Sequence, residues 1–155
     1  MKNPEIKIVQ MEDDVMIYGL TVKSSDKGQS KDIPKLSDKF YTQSKQEANK
    51  LFPFYVLSKD YNEQTQEFQL FIAGPKDFEG SSKIVLPKGS YAIMTIKPKL
   101  NFIWGLAIGQ AKTFFYRQWL PQSQYTGLNM EYECHTEKSV SRHPTIDLYF
   151  AIKPK

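Results

Sequence analysis

The order strand, helix, strand, strand, written twice in succession, does most to limit what this chain can fold into. In the first half, Ile6, Ile8 and Val9 form a short apolar strand signal. Residues 15–22 form a longer one around Ile17 and Leu20. Gly19 inside the second signal implies a bulge or a close backbone approach. A polar loop over 24–31 follows, and Asp32 stands where a helix N-cap belongs, with Pro34 in the first turn. Leu36 and Phe40, four residues apart, place that helix from about 32 to 49. Residues 51–58 then read as a strand, 60–64 as a turn, and 68–73 as its antiparallel partner, closed by Gly74-Pro75.

The second half repeats the order. Residues 84–96 give a strand led in by Pro87 and Gly89. Asn101 is placed to cap a helix with an apolar face of Ile103, Leu106, Ala107, Ala111, Phe114 and Phe115. Gly105 and Gly109 share one face of it. They either let the helix approach a sheet closely or are weak helix formers that a strong helix tolerates. Pro121 ends the helix, and strands over 128–135 and 145–153 complete the unit. The repeat is one of elements, without obvious self-similarity of residues. The expectation is an α+β fold of two βαββ repeats related by a pseudo-twofold: an antiparallel sheet, two main helices and a central cleft. A chain of 155 residues fits one domain over 1–155, with half-repeats of about 1–80 and 81–155.

Composition removes several function classes. The net charge of +4 rests on scattered lysines with only Arg117 and Arg142 beside them, so direct nucleic-acid binding is not expected. The window 100–111 is too short to span a bilayer, and Lys112 interrupts it. The opening Met1-Lys2-Asn3-Pro4-Glu5 carries no apolar run of the signal-peptide kind, and the lone Cys134 fits a reducing compartment, so the expected location is the cytoplasm. Cys134 and His135 are adjacent on a strand and face opposite ways. They form neither a nucleophilic pair nor, with His143 as the only other histidine, a zinc site of the usual kind. No phosphate loop or dinucleotide fingerprint is present, so no metal, cofactor or catalytic residue is assigned.

What stands out is acid among aromatics. Alternation along 128–135 puts Glu131, Glu133 and His135 on one face and Met130, Tyr132 and Cys134 on the other. The second set is apolar enough for a core, so the first points to solvent or into the cleft. A carboxylate held among rings is a costly structural choice but a good receptor for an organic cation.

Four stretches in order resemble the GyrI-like effector-binding domain family. They are Leu86-Pro87-Lys88-Gly89-Ser90-Tyr91-Ala92, Trp119-Leu120-Pro121-Gln122-Ser123-Gln124-Tyr125, the aromatic–Glu strand at Tyr132-Glu133, and the segment from Ile146 through Asp147-Leu148-Tyr149-Phe150-Ala151-Ile152 to Lys153. Three departures accompany the match. Ala151 stands where the family usually has proline, the loop Lys97-Pro98-Lys99-Leu100 lacks a glycine, and the acidic strand carries two glutamates. The family's Glu-x-Tyr matches Glu133-Cys134-His135 better than Glu131-Tyr132-Glu133, which favours Glu133 for the cleft and leaves Glu131 to solvent.

The resemblance implies a stand-alone domain with an aromatic pocket between its halves, an acidic floor, and a small cationic or amphiphilic ligand. Tyr149 and Tyr91, then Trp104 and Tyr18, are the expected walls, with Glu133 and Glu131 as the acids. It implies sensing or sequestering such molecules, or transcription co-regulation with a regulator protein or a second copy as partner. The alternatives it carries are a hydrolase acting on strained cyclopropanoid electrophiles, with Glu133 as general base, and a protein inhibitor of a topoisomerase.

Overall fold

The structure, a computed structural model, describes residues 4–97 and 104–155, apart from the side chain of Trp104. Strands β1 (Ile6–Met11) and β2 (Val15–Ser25) lead into helix α1 (Gln29–Ser44), then β3 (Phe54–Asn62) and β4 (Glu67–Gly74). Strands β5 (Ser82–Leu86) and β6 (Gly89–Ile96) precede helix α2 (Trp104–Phe114), which runs on through a π-helical turn (Phe115–Trp119) and a last turn (Leu120–Gln122). Strands β7 (Tyr125–His135) and β8 (Ile146–Pro154) finish the chain.

The eight strands form one antiparallel sheet in the order β1-β6-β8-β7-β3-β4-β2-β5. The two halves meet at β7 and β3, where the pseudo-twofold runs. This is the α+β arrangement expected from the element order. The first strand of each half is exchanged: β1 pairs with β6 of the second half, and β5 pairs with β2 of the first.

Connection length makes the sheet curl. β1 and β2 are six strand spacings apart, about 29 Å in a flat sheet. Residues 12–14 alone join them, a span of about 15 Å at most. The two-residue link between β5 and β6 likewise spans six strand spacings, and the two links are tied by the Lys88 amide donating to Asp14 Oδ1 at 2.7 Å. That link corrects the single strand expected over 84–96. Pro87 supplies no N–H, and Gly89 turns the chain at φ 138°, so the run breaks in two and resumes six strands away.

Inside the curl, Ile17, Tyr55, Leu57, Leu86, Tyr91, Tyr132 and Ala151 form one buried cluster. On the outer face, α1 packs Leu36 and Phe40 against Val56, Leu70 and Ile72, while α2 packs Ala111 and Phe115 against Met94, Leu148 and Phe150. The Phe115 and Phe150 rings stack with centroids 3.9 Å apart.

Several boundaries differ from the sequence reading. Helix α1 starts at Gln29 with Gly28 as N-cap, and Asp32 lies inside the first turn, accepting from the Ser24 hydroxyl at 2.7 Å. The helix stops at Ser44 because Lys45 takes the left-handed conformation, φ 58°. Gly19 makes the close approach its position implied: an added Cβ would lie 1.9 Å from the Ile72 carbonyl oxygen. An added Cβ at Gly105 or Gly109 meets nothing within 4 Å, so both are tolerated rather than required for packing. Leu106 is 60% exposed and leaves the packed face to Ala107, Ile108 and Ala111. The Asn101 cap and Ile103 lie outside the described residues.

Candidate functional site

Because α1 covers β2 and β4 while α2 covers β6 and β8, the outer face of the seam between β3 and β7 is left as a cleft between the two helices. Strand alternation carries Glu131, Glu133 and His135 onto this face, opposite Ser58, Val56 and Phe54 of β3. Met130, Tyr132 and Cys134 turn inward to the curled core.

A bulge sets the depth of the first acid. Between Gly127 and Glu131 the β7–β8 register slips by two residues, and Asn129 adopts φ 57°. The Asn129 side chain ties the bulge to β3 on its other side. Its Oδ1 accepts from the Tyr61 amide at 2.8 Å, and its Nδ2 donates to the Tyr61 carbonyl at 3.1 Å. Beyond the bulge, Glu131 lines a cavity of about 780 Å³ with Asp26, Ser58, Tyr61, Glu63, Phe68, Lys112, Tyr116 and Arg117 among its walls. That is large enough for a drug-sized molecule.

Glu131 is mostly enclosed, its side chain 18% exposed, and Lys112 is 27% exposed with Nζ 3.7 Å from Glu131 Oε1. The pair is ionic but too long for a good hydrogen bond. The other oxygen, Oε2, is buried without a hydrogen-bond partner among the described residues. Burial pushes the Glu131 carboxyl above the ordinary range; Lys112 pulls it down and Glu133 pushes it up. Burial alone would lower the Lys112 ammonium, but Glu131 and Glu133 outweigh that and hold it above the ordinary lysine value. Desolvation, then Glu131, raises the Tyr116 hydroxyl. Lys112 and Tyr116 stand four apart where α2 passes into its π-helical turn. The sequence signal for them was a lysine interrupting an apolar helix, followed by a tyrosine one turn later.

One turn of strand further on, Glu133 is 12% exposed and His135 21%, and the His135 Nε2 lies 3.0 Å from Glu133 Oε1. His135 also borders a smaller hollow of about 360 Å³ with Tyr41, Phe54 and Val140. Its ring meets that of Phe54 edge-on at 5.8 Å.

The structure thus separates the residues that sequence reading grouped. Glu131, the second of the two expected pocket acids, stands in the wall of the larger cavity, and Glu133, the one favoured for the cleft, is engaged by His135. Tyr91 and Tyr149 lie on the other side of the sheet. Tyr149 is directly opposite Tyr132, whose side chain alternates with those of Glu131 and Glu133, and Tyr91 is opposite Ala151 of the inner cluster. Their rings pack together inside the curl. Tyr132 stacks on Tyr149 at 4.7 Å, and Tyr91 meets both edge-on. Tyr18 shares the helix-bearing face but lies on β2, away from the cavity lining. The backbone of Trp104 opens α2, while its side chain lies outside the described residues.

The family model for integron-associated effector binding protein, Cass2, matches residues 7–152. The chain belongs to the Cass2 family. Solved structures agree with this GyrI-like fold. An integron cassette protein of Vibrio cholerae, VCH_CASS2, superposes with a TM-score of 0.70 at 16% identity, covering 96% of this chain and 95% of that one. SAV2435 bound to tetraphenylphosphonium gives 0.69 at 12% identity over 96% and 94%. The EcmrR C-terminal domain gives 0.64 at 14% identity over 98% and 99%. Among curated proteins, none matches this sequence. Identities this low carry the fold and leave the site to be read from the residues of this Cass2 chain. No helix among its described residues is long and apolar enough to cross a membrane.

Proposed function

We propose that this Cass2 chain is a cytoplasmic receptor for small organic cations with aromatic or amphiphilic bodies, taking them into the cleft between α1 and α2 with Glu131 as the acid that meets the charge. The carrying observation is Glu131 itself: a mostly enclosed carboxylate with one buried oxygen unpartnered among the described residues, in the wall of a cavity of ligand size. A carboxylate in that state loses solvation without full compensation, and a bound cation removes the deficit. Asp26 and Glu63 add negative charge to walls that also carry Lys59, Lys112 and Arg117, so the lining is of mixed charge and Glu131 is the acid argued to meet the cation. Tyr61, Phe68 and Tyr116 offer ring surface, which adds about 0.5–2 kcal/mol per cation–π contact. That the SAV2435 structure holds a tetraphenylphosphonium ion fits this ligand class. Membership of an effector-binding family, and a fold shared with the EcmrR C-terminal domain, fit a role in sensing such molecules or in co-regulating transcription.

Calorimetric titration of tetraphenylphosphonium and of neutral triphenylphosphine oxide into the wild type and Glu131→Gln tests the proposal. We expect the substitution to weaken the cation by about tenfold or more, 1.4 kcal/mol, and the neutral ligand by less than about twofold. Equal losses for both ligands would remove Glu131 from the role.

A further inference from the structure

Resting on that reading, we propose that Lys112 is the specificity-determining residue of the cleft: a tethered cation that occupies Glu131 in the empty site and that every ligand cation has to displace. The ammonium stands 3.7 Å from Glu131 Oε1, and both groups line the same cavity. Helix α2 is anchored beside it by Ala111 and by Phe115 stacked on Phe150, so the lysine stem is delivered to the acid by a fixed backbone. A group tethered this way competes at an effective concentration in the millimolar range or above. It does so without a short hydrogen bond: Lys112 Nζ is held at ion-pair distance from Oε1, and Oε2 has no hydrogen-bond partner among the described residues.

The consequence is a filter. A small alkylammonium offers Glu131 nothing that Lys112 does not already offer, and it brings no apolar area to repay the exchange. A cation carrying several rings brings charge and also covers the exposed rings of Tyr61 and Tyr116, so it displaces the lysine. Lys112 thereby makes this hollow of mixed charge demand apolar bulk together with charge.

The test compares wild type, Lys112→Met, Lys112→Gln, Lys112→Arg, Glu131→Gln and the double variant Lys112→Met/Glu131→Gln. Each is titrated with tetraphenylphosphonium, tetramethylammonium and triphenylphosphine oxide. Methionine keeps the stem and removes the charge. If methionine perturbs packing, glutamine carries the same comparison. We expect both neutral variants to bind tetraphenylphosphonium about tenfold or more tighter than wild type, and tetramethylammonium to bind measurably. The oxide should change by less than about twofold, Lys112→Arg should gain nothing, and the double variant should lose the gain. Without ligand, the Glu131 carboxyl resonance should titrate at higher pH in Lys112→Met than in wild type.

Should wild type bind tetraphenylphosphonium and lose it on Glu131→Gln while neither neutral variant binds tighter, the lysine filter is overturned and the receptor cleft stands. An unmoved Glu131 titration also overturns the filter. Should Glu131→Gln bind like wild type, the receptor cleft falls, and the filter falls with it.

Discussion

Asn129 and Tyr61 hold each other with two hydrogen bonds, Tyr61 N–H to Asn129 Oδ1 at 2.8 Å and Asn129 Nδ2 to the Tyr61 carbonyl at 3.1 Å. With its φ of 57°, Asn129 sits where few side chains rest without strain, and it is two residues from Glu131. Asn129→Ala loses both bonds and keeps the strained backbone. It should cost about 2 kcal/mol in urea unfolding and weaken tetraphenylphosphonium several-fold. Asn129→Gly relieves the strain and should recover part of the stability. If both variants unfold at the wild-type midpoint, the bulge does not depend on this pair.

The helix glycines and the strand glycine make opposite predictions for one substitution. At Gly19 a methyl group would meet the Ile72 carbonyl oxygen at 1.9 Å, so Gly19→Ala should cost roughly 3 kcal/mol or more, or leave no folded protein. At Gly109 nothing lies within 4 Å, so Gly109→Ala should raise stability by about 0.5–1 kcal/mol. Thermal melts of the two variants decide the matter, and a stable Gly19→Ala protein would contradict the β2–β4 register.

The tyrosines test which side of the sheet receives the ligand. The Tyr91 hydroxyl donates to the Pro87 carbonyl at 2.6 Å, and burial pushes its pKa up to about 12. Tyr91→Phe should therefore cost about 1 kcal/mol of stability. Tyr149→Ala should cost more, through lost stacking on Tyr132. Both should leave the tetraphenylphosphonium Kd within about twofold of wild type. Loss of binding with stability intact would move the site into the curl.

The raised Glu131 carboxyl sets a pH dependence. Tetraphenylphosphonium does not titrate and prefers the ionised carboxylate. Its affinity should fall as pH drops through the raised Glu131 value, and this limb should vanish in Glu131→Gln. Without ligand the sign reverses. The native state holds this proton more tightly than the unfolded chain, so stability is lost as pH rises from the ordinary carboxyl range to the raised value. Lys112, raised above the ordinary lysine value, stays protonated in both states across that window and adds no slope. A flat affinity profile between wild type and Glu131→Gln would contradict the assignment.

The architecture was legible because it depends on pattern. Period-two alternation put Glu131, Glu133 and His135 together on one face, and the element order gave the paired repeats. What the chain did not reveal locally depends on long-range pairing. The break at Pro87 is visible as residues, but that β5 and β6 lie six strands apart in one sheet follows only from long-range pairing. The same pairing decides that Tyr91 and Tyr149 face away from the two glutamates, since cross-strand register, not sequence distance, assigns their face. In the sequence Lys112 only interrupts an apolar window, because nothing local brings it beside an acid nineteen residues away.

Locating the bound cation tests the account most directly. Tetraphenylarsonium soaked into crystals, with arsenic found by its anomalous scattering, should place the heavy atom between α1 and α2, with the cation within about 6 Å of the Glu131 carboxylate and the Lys112 ammonium displaced. Arsenic inside the curl against Tyr91, Tyr132 and Tyr149, with the Lys112–Glu131 pair intact, would contradict it.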